Sequence, residues 1–457
     1  MANVLNRPAV PARNAEQSSY RAEQPSGWVF ARLWPQLAAV GIAATVGALC
    51  AGAKNAHSSP LDLFGFGGRS PGLVGTGVAT ATDYDAVYLN PAGLADTAGK
   101  RFTVGTVAGD MALYRNGEET DTDPIAGLVI GGALKMPLRG ALRDRVGLGV
   151  GFHVPFAAIN RARHPLPGVP VHVLLESRTH VVAVQGAVGV KLGQRWRIGA
   201  GILALAELRG VIDVTTDGAG RFTTFSEQQL VTRFTPIVGA RYLSAGRRLR
   251  LGLTVRGVSR SDYDIEITND LGDALPLTIP TVRIAGVSQY DPLTVAAEAA
   301  WQWRHDLDLL VQLAYQRWSA FPTPTVNPVA GAPAQDGPAF HDIAVPRLAA
   351  EWRSSRASTQ IAARVGYSFV WSPAGEMDGQ QSLLDNHRNI LAAGLGLSWP
   401  GTRLPLHIDA WTQFHILLPR SHTKDPANYG PDEEPPFDTI STRGHIAVAG
   451  ITVGVDL

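Results

Sequence analysis

Hydrophobic and polar positions alternate one by one through most of the chain from about residue 101 onward. Val146, Leu148, Val150, Phe152, Val154 and Phe156 are separated by Gly147, Gly149, Gly151, His153 and Pro155. Leu249, Leu251, Leu253 and Val255 alternate with Arg250, Gly252, Thr254 and Arg256, and Leu391 to Trp399 and Ile451 to Leu457 repeat the split. Successive side chains of a strand point to opposite faces, so each run predicts a strand with one apolar face and one small or polar face.

Three features separate this pattern from a soluble sandwich. The runs extend over roughly 11 to 23 residues, against about 5–6 for a globular strand. The connections alternate in length: 139–144, 193–194, 245–247, 305–306 and 354–356 are tight, whereas 116–123, 158–177, 216–221, 259–289, 322–340, 372–387 and 421–442 are longer and polar. Short turns at one rim and long loops at the other are the habit of outer-membrane barrels. Trp196, Trp301, Trp303, Trp318, Trp352, Trp371 and Trp399 lie near run ends, where amphipathic rings are expected at headgroup level.

The loop rule yields an all-β transmembrane antiparallel barrel of 14 strands. They lie near 101–115, 125–138, 145–157, 178–192, 195–215, 222–244, 248–258, 290–304, 307–320, 341–353, 357–371, 388–399, 403–418 and 443–457. Residues 281–288 also alternate, but counting them would invert every later loop. They are therefore expected in a structured external loop.

Composition agrees. Net charge is +1 and charged residues make up 17%, which offers nucleic acid no electrostatic footprint. Mean hydropathy of +0.03 suits a barrel in which every second residue meets lipid. Ahead of the alternation, arginines at 7, 13, 21 and 32 precede an uncharged run from Leu37 to Ala53 ending in Ala51-Gly52-Ala53. This predicts a cleavable signal peptide over 1–53. The single cysteine, Cys50, lies inside it, leaving the mature chain without a thiol.

Candidate chemistry is sparse. Arg197, Glu207, Arg241, Arg250, Arg256, Glu298, Arg304, Arg347, Glu351, Arg364 and Asp409 fall on the polar side of predicted strands. Their expected role is lumenal pairing, with an arginine fork available to a carboxylate head group. His407, Asp409 and His415 share one strand face but are too widely spaced for one ion on a straight strand. Gly68-Arg-Ser70-Pro-Gly72 spells a nucleophile-elbow string without the strand and helix that an elbow requires. The expectation is therefore no enzyme, no metal, no cofactor and no coupling to a nucleotide or ion.

Residues 54–100 break the alternation. They are glycine-rich and turn-rich, with one short helix expected near Asp85 and a stop at Asn90-Pro91. The stretch GFGGRSPGLVGTGVATATDYDAVYLNPAGLA resembles the N-terminal hatch of the FadL/TodX outer-membrane transporters of long-chain fatty acids and aromatic hydrocarbons, with Asn90, Pro91 and Ala92 matching that family's NPA motif. Gly147 to Phe156 is similar to the family's third strand. The resemblance implies a monomeric 14-stranded barrel over 101–457 in the bacterial outer membrane, plugged by a hatch over 54–100. It implies passive uptake of greasy molecules caught by external loops. It also implies their sideways release into outer-membrane lipid at a kinked third strand, here carrying Gly147, Gly149, Gly151 and Pro155. A non-transporting barrel serving secretion or surface attachment is the alternative.

Overall fold

The computed structural model describes residues 61–156, 170–172, 174–175, 182–216, 222–270, 282–323, 325–326, 337–356, 358–379, 381–430 and 434–457. The predicted signal peptide lies outside them, as do Glu207's side chain and most of the loop after the third strand. Fourteen antiparallel strands form the wall. In chain order they are β1 Lys100–Arg115, β2 Ile125–Lys135, β3 Val146–Pro155, β4 Ala183–Leu192, β5 Trp196–Thr216, β6 Phe222–Leu243 and β7 Leu249–Arg256. There follow β8 Thr294–Arg304, β9 Leu307–Gln316, β10 Ile343–Arg356, β11 Thr359–Val370, β12 Arg388–Trp399, β13 Leu406–Thr423 and β14 Thr439–Asp456. Each pairs with the next, and β1 closes on β14 from Arg101–Asp456 to Arg115–Thr442. Closure leaves no unpaired edge among the wall strands, the one way a sheet can sit in hydrocarbon.

The alternation sorts side chains as expected. Val150, Ile202, Phe234, Leu253, Val311, Leu348, Val365 and Leu391 are exposed on the outer face. Their neighbours Gly252, Thr254, Gln312, Arg364 and Ala392 face in and are buried. Trp196, Trp301, Trp303, Trp352 and Trp371 are exposed at strand ends. Trp318 departs from the predicted belt. It sits on a 3-10 turn after β9 and is buried against Tyr290 and Phe321 inside the external loops. Arg304, expected in the lumen, stands in water at the turn beside Asp306 with 66% of its side chain exposed. It directly precedes the tight turn at 305–306, where the inward face has run out.

The segment at 281–288 is found outside the wall, as expected, but it has a partner that was not. Val282–Asp291 pairs antiparallel with a strand Ser259–Asp270, which lies parallel to the upper end of β5 from Leu208 to Thr215. β5 and β6 are 21 and 22 residues long. At about 3.3 Å per residue they rise well beyond the ~25 Å apolar band of a barrel, and the extra hairpin braces that projection.

The barrel is not hollow. Residues 61–99 fill it, with helix α1 (Leu61–Phe64), a 3-10 turn Pro71–Leu73, helix α2 (Ala86–Leu89) and a 3-10 turn Pro91–Asp96. Phe64, Phe66, Leu73, Val87 and Leu94 of this inner segment are fully buried or nearly so.

Because Val311 is 55% exposed in the middle of β9, Val311→Arg places a cation where lipid is expected. It should lower folding stability in vesicles by about 2–4 kcal/mol, read from urea unfolding. A water-facing site would lose no more than ~0.5 kcal/mol.

Candidate functional site

The inner segment rests on a shelf of glycines. Gly147 of β3 is paired with Gly189 of β4, Gly189 with Gly199 of β5, and Gly199 with Gly239 of β6. All four face the lumen at one level, and each is pressed by the stretch Asn90–Leu94. A Cβ on Gly147 would lie 1.9 Å from the Leu94 carbonyl oxygen, and one on Gly189 2.5 Å from that of Pro91. One on Gly199 would lie 2.3 Å from the Ala92 nitrogen, and one on Gly239 2.0 Å from Asn90 Oδ1. No side chain fits there, so the wall strands carry none.

Asn90 fastens the segment to this shelf. Its amide Nδ2 donates to the carbonyls of Val78 at 2.7 Å and Ala240 of β6 at 3.1 Å, while Oδ1 accepts from the Ala92 nitrogen at 3.1 Å and caps the 3-10 turn. Pro91 opens that turn, where a missing N–H does no harm. The sequence motif Asn90-Pro91-Ala92 is thus a capped turn against bare backbone. Gly149 and Gly151 of β3 likewise face Val87, Leu94 and Phe66. Pro155 is buried at the upper end of β3, paired with Gly127. Among the described residues the register of β3 runs unbroken against β2 and β4.

Charged pairs hold the remainder, as the lumenal reading of the wall charges expects. Glu298 of β8 accepts three backbone N–H bonds, from Gly77, Val78 and Ala79 at 2.7, 2.9 and 3.1 Å. Glu351 of β10 takes Arg69 in a two-pronged bond at 2.9 and 2.7 Å and also accepts from Arg364. Asp96 pairs with Arg197 at 2.9 Å, and Arg101 bridges Asp83 and Asp456. Arg241 donates to the Ala81 carbonyl at 2.8 Å. Such charge-assisted bonds are strong in a site shielded from water. Burial opposes the Asp96 charge, but the hydrogen bonds from Arg197 and the charges of Arg241 and Lys191 outweigh it and hold that carboxyl below its ordinary value.

Among the described residues two kinds of space are found. On the side of the tight turns a cavity of about 500 Å³ is lined by Arg69, Arg101, Arg250, Arg353 and Arg364 together with Asp83, Asp85, Glu351 and Asp409. Its walls suit water rather than hydrocarbon. On the side of the long loops two small cavities, about 50 and 30 Å³, flank α1. Above them Trp318, Phe321, Phe340, Val345, Val370 and Ile390 join one apolar cluster. Leu174 and Val171 belong to it, and Val171 is bridged to Leu383 of the loop before β12. Among the described residues, the side of the long loops thus carries an apolar cluster and the side of the tight turns a charged cavity. The strand face expected to carry His407, Asp409 and His415 is divided: His407 meets Asp456 and Arg101, Asp409 meets Arg364, and His415 meets Gln413. No cluster of metal-ligating side chains occurs among the described residues. Ser70 precedes a 3-10 turn and follows no strand.

A closed 14-stranded barrel with an inner segment moored on its wall defines a transmembrane β-barrel fold with a filled lumen. The same architecture occurs in solved structures. A Pseudomonas aeruginosa FadL homologue matches with TM-score 0.56 at 12% identity, over 85% of this chain and 97% of that one. The P. putida toluene transporter TodX matches with TM-score 0.53 at 13% identity, over 87% and 99%. The CymD monoaromatic hydrocarbon channel matches with TM-score 0.51 at 14% identity, over 87% and 98%. No family model and no curated protein sequence matches the chain.

The moorings make two predictions. Asn90→Ala leaves the carbonyls it serves without their donor, a loss of about 1–3 kcal/mol. It should speed hydrogen exchange across residues 86–97 while the wall strands stay protected. Asp85 answers to pH. Burial first, then the neighbouring Asp83 charge, push its carboxyl up to about 6 from an ordinary 3.8. A carboxyl raised on packing is penalised when ionised, so packing is strongest below about pH 4, weakens as pH rises toward 6 and levels off beyond it. Exchange protection of residues 83–89, corrected for intrinsic rates, should rise between pH 7 and 5, and Asp85→Asn should abolish the rise.

Proposed function

We propose that the chain is an outer-membrane channel for passive uptake of hydrophobic molecules, long-chain fatty acids or aromatic hydrocarbons. In this reading residues 1–53 are a signal peptide, residues 54–100 the hatch, and residues 101–457 the barrel, working as a monomer. The carrying observation is the seating of Asn90–Leu94 on the glycine row of β3 to β6, which makes the inner segment a fitted closure. The apolar cluster under the external loops supports a greasy cargo, since it offers transfer out of water at the rim where cargo arrives. The charged cavity below supports sideways release, because hydrocarbon gains nothing by crossing it. β3 is the proposed exit. Gly147, Gly149 and Gly151 touch the hatch, so hatch movement uncovers that strand, and Pro155 offers no N–H at its upper end.

Nothing in this scheme requires catalysis. Vesicles containing the purified barrel should take up labelled oleate or toluene faster than empty vesicles and glucose no faster. Equal rates for both hydrophobic probes, with and without protein, reject transport and favour an attachment or secretion role. Side exit has its own check. Phe152 faces Val184 across β3 and β4, and Leu128 faces Val154 across β2 and β3. Cysteine pairs at those positions, oxidised one at a time, should cut uptake at one seam and recover on reduction. Full uptake with both seams stapled rejects release at β3.

A further inference from the structure

The six tight turns join β2 to β3, β4 to β5, β6 to β7, β8 to β9, β10 to β11 and β12 to β13. Each carries or borders an exposed arginine: Arg145, Arg195, Arg248, Arg304, Arg356 and Arg403 in that order. Acids are scarce in these turns. Asp144 and Asp306 are the two in the turn sequences, and they lie 3.7 Å from Arg143 and 3.6 Å from Arg304. Among the described residues no ion pair engages Arg145, Arg195, Arg248, Arg356 or Arg403. The opposite rim leans the other way. Glu118, Glu119, Asp378, Asp425, Glu434 and Asp438 stand exposed there, and its arginines 233 and 283 are paired with Asp262 and Asp264.

The turn arginines share their rim with side chains that face lipid. Trp196 adjoins Arg195, Trp303 adjoins Arg304 and Leu249 adjoins Arg248, all exposed on the wall. Trp352 and the half-buried Trp399 stand four residues before Arg356 and Arg403. A belt of tryptophans marks the headgroup level, and adjacent strand residues differ in height by no more than about 3.3 Å. The guanidinium groups are therefore held near the depth of lipid phosphate, each on a flexible stem.

Their distribution decides the partner. A folded protein would cover one patch of the rim, whereas a leaflet surrounds all of it, and the cations stand at every hairpin. The planar guanidinium fork matches two oxygens of a phosphate. A zwitterionic headgroup brings a cation of its own and leaves the arginine excess uncompensated; a headgroup of net negative charge does not. We propose that the tight-turn rim is a binding surface for anionic phospholipid, drawing phosphodiester headgroups of net negative charge from the leaflet that meets it. This goes beyond the uptake reading and stands without it, requiring only the barrel in a bilayer.

The test uses the mature barrel in nanodiscs of equimolar phosphatidylglycerol and phosphatidylcholine with matched chains, and native mass spectrometry to count the lipids it retains. Wild type should retain phosphatidylglycerol about fivefold over phosphatidylcholine, the equivalent of ~1 kcal/mol for a cation at an anionic surface. Equilibration in high salt should shrink the preference. The sixfold variant Arg145→Gln/Arg195→Gln/Arg248→Gln/Arg304→Gln/Arg356→Gln/Arg403→Gln should retain the two lipids alike. Arg195→Gln/Arg248→Gln should lower the preference in the same direction, a lighter change that decides the matter if the sixfold variant does not fold. Arg317→Gln/Arg443→Gln, which removes two exposed cations from the loop rim, should keep the wild-type preference. Heat-modifiable migration reports the folding of each variant. Equal retention of the two lipids by wild type, a preference undiminished in the tight-turn variants, or an equal fall in the loop-rim variant overturns the proposal. Binding of polyglutamate or polyphosphate by the detergent-solubilised barrel, with no lipid preference, assigns the rim to an acidic soluble partner and overturns it as well. Uptake of oleate or toluene is a separate readout, so the failure of one reading leaves the other standing.

Discussion

A backbone surrounded by hydrocarbon must satisfy its own hydrogen bonds, and the whole molecule follows from that requirement. Fourteen paired strands meet it by closing β1 on β14. Closure fixes which side chains face lipid and leaves an interior that must be filled or wet. The filling here is irregular chain, whose amides and carbonyls have no ladder of their own. The wall supplies the partners. Glu298 serves three consecutive N–H groups, Asn90 and Arg241 link carbonyls of segment and wall, and Gln413 takes the carbonyls of Phe64 and Pro71. The polar inner face of a barrel strand is in this protein a docking surface for its own N-terminal chain.

Much of the wall was legible because period two is a local signal. The runs at 146–156, 249–256 and 391–399 needed no knowledge of their neighbours, and loop lengths alone set the count of 14. The hairpin strand at 259–270 was hidden by that same count. Tyr263, Ile265 and Ile267 alternate with Asp262, Asp264 and Glu266, yet the segment was assigned to a loop because the wall had no place for it. Trp318 was misplaced for a related reason. Its distance from a strand end was readable, but the 3-10 turn that rolls it inward was not.

The site was legible only in part. Asn90-Pro91-Ala92 stood out as a motif, and the structure explains it as a capped turn. The surface that receives the motif did not stand out. Gly147, Gly189, Gly199 and Gly239 are neighbours through strand register, and register depends on three intervening connections whose lengths share no period. Glycine content was visible, but its alignment into a shelf was not. The same holds for Asp62, an unremarked residue of α1 until the register of β7 brought Arg256 to it. Pairwise electrostatics in a lumen are long-range in sequence: Arg69 and Glu351 are 282 positions apart.

One consequence concerns the short link between the inner segment and the wall. The last 3-10 turn ends at Asp96 and β1 begins at Lys100, so Thr97, Ala98 and Gly99 are all that join them. Three residues span about 10 Å at most. A leash that short holds the last turn of the filling close to the rim where β1 begins while the ring of strands is intact. Whatever else rearranges in the lumen, the end of the filling beside β1 stays with the wall.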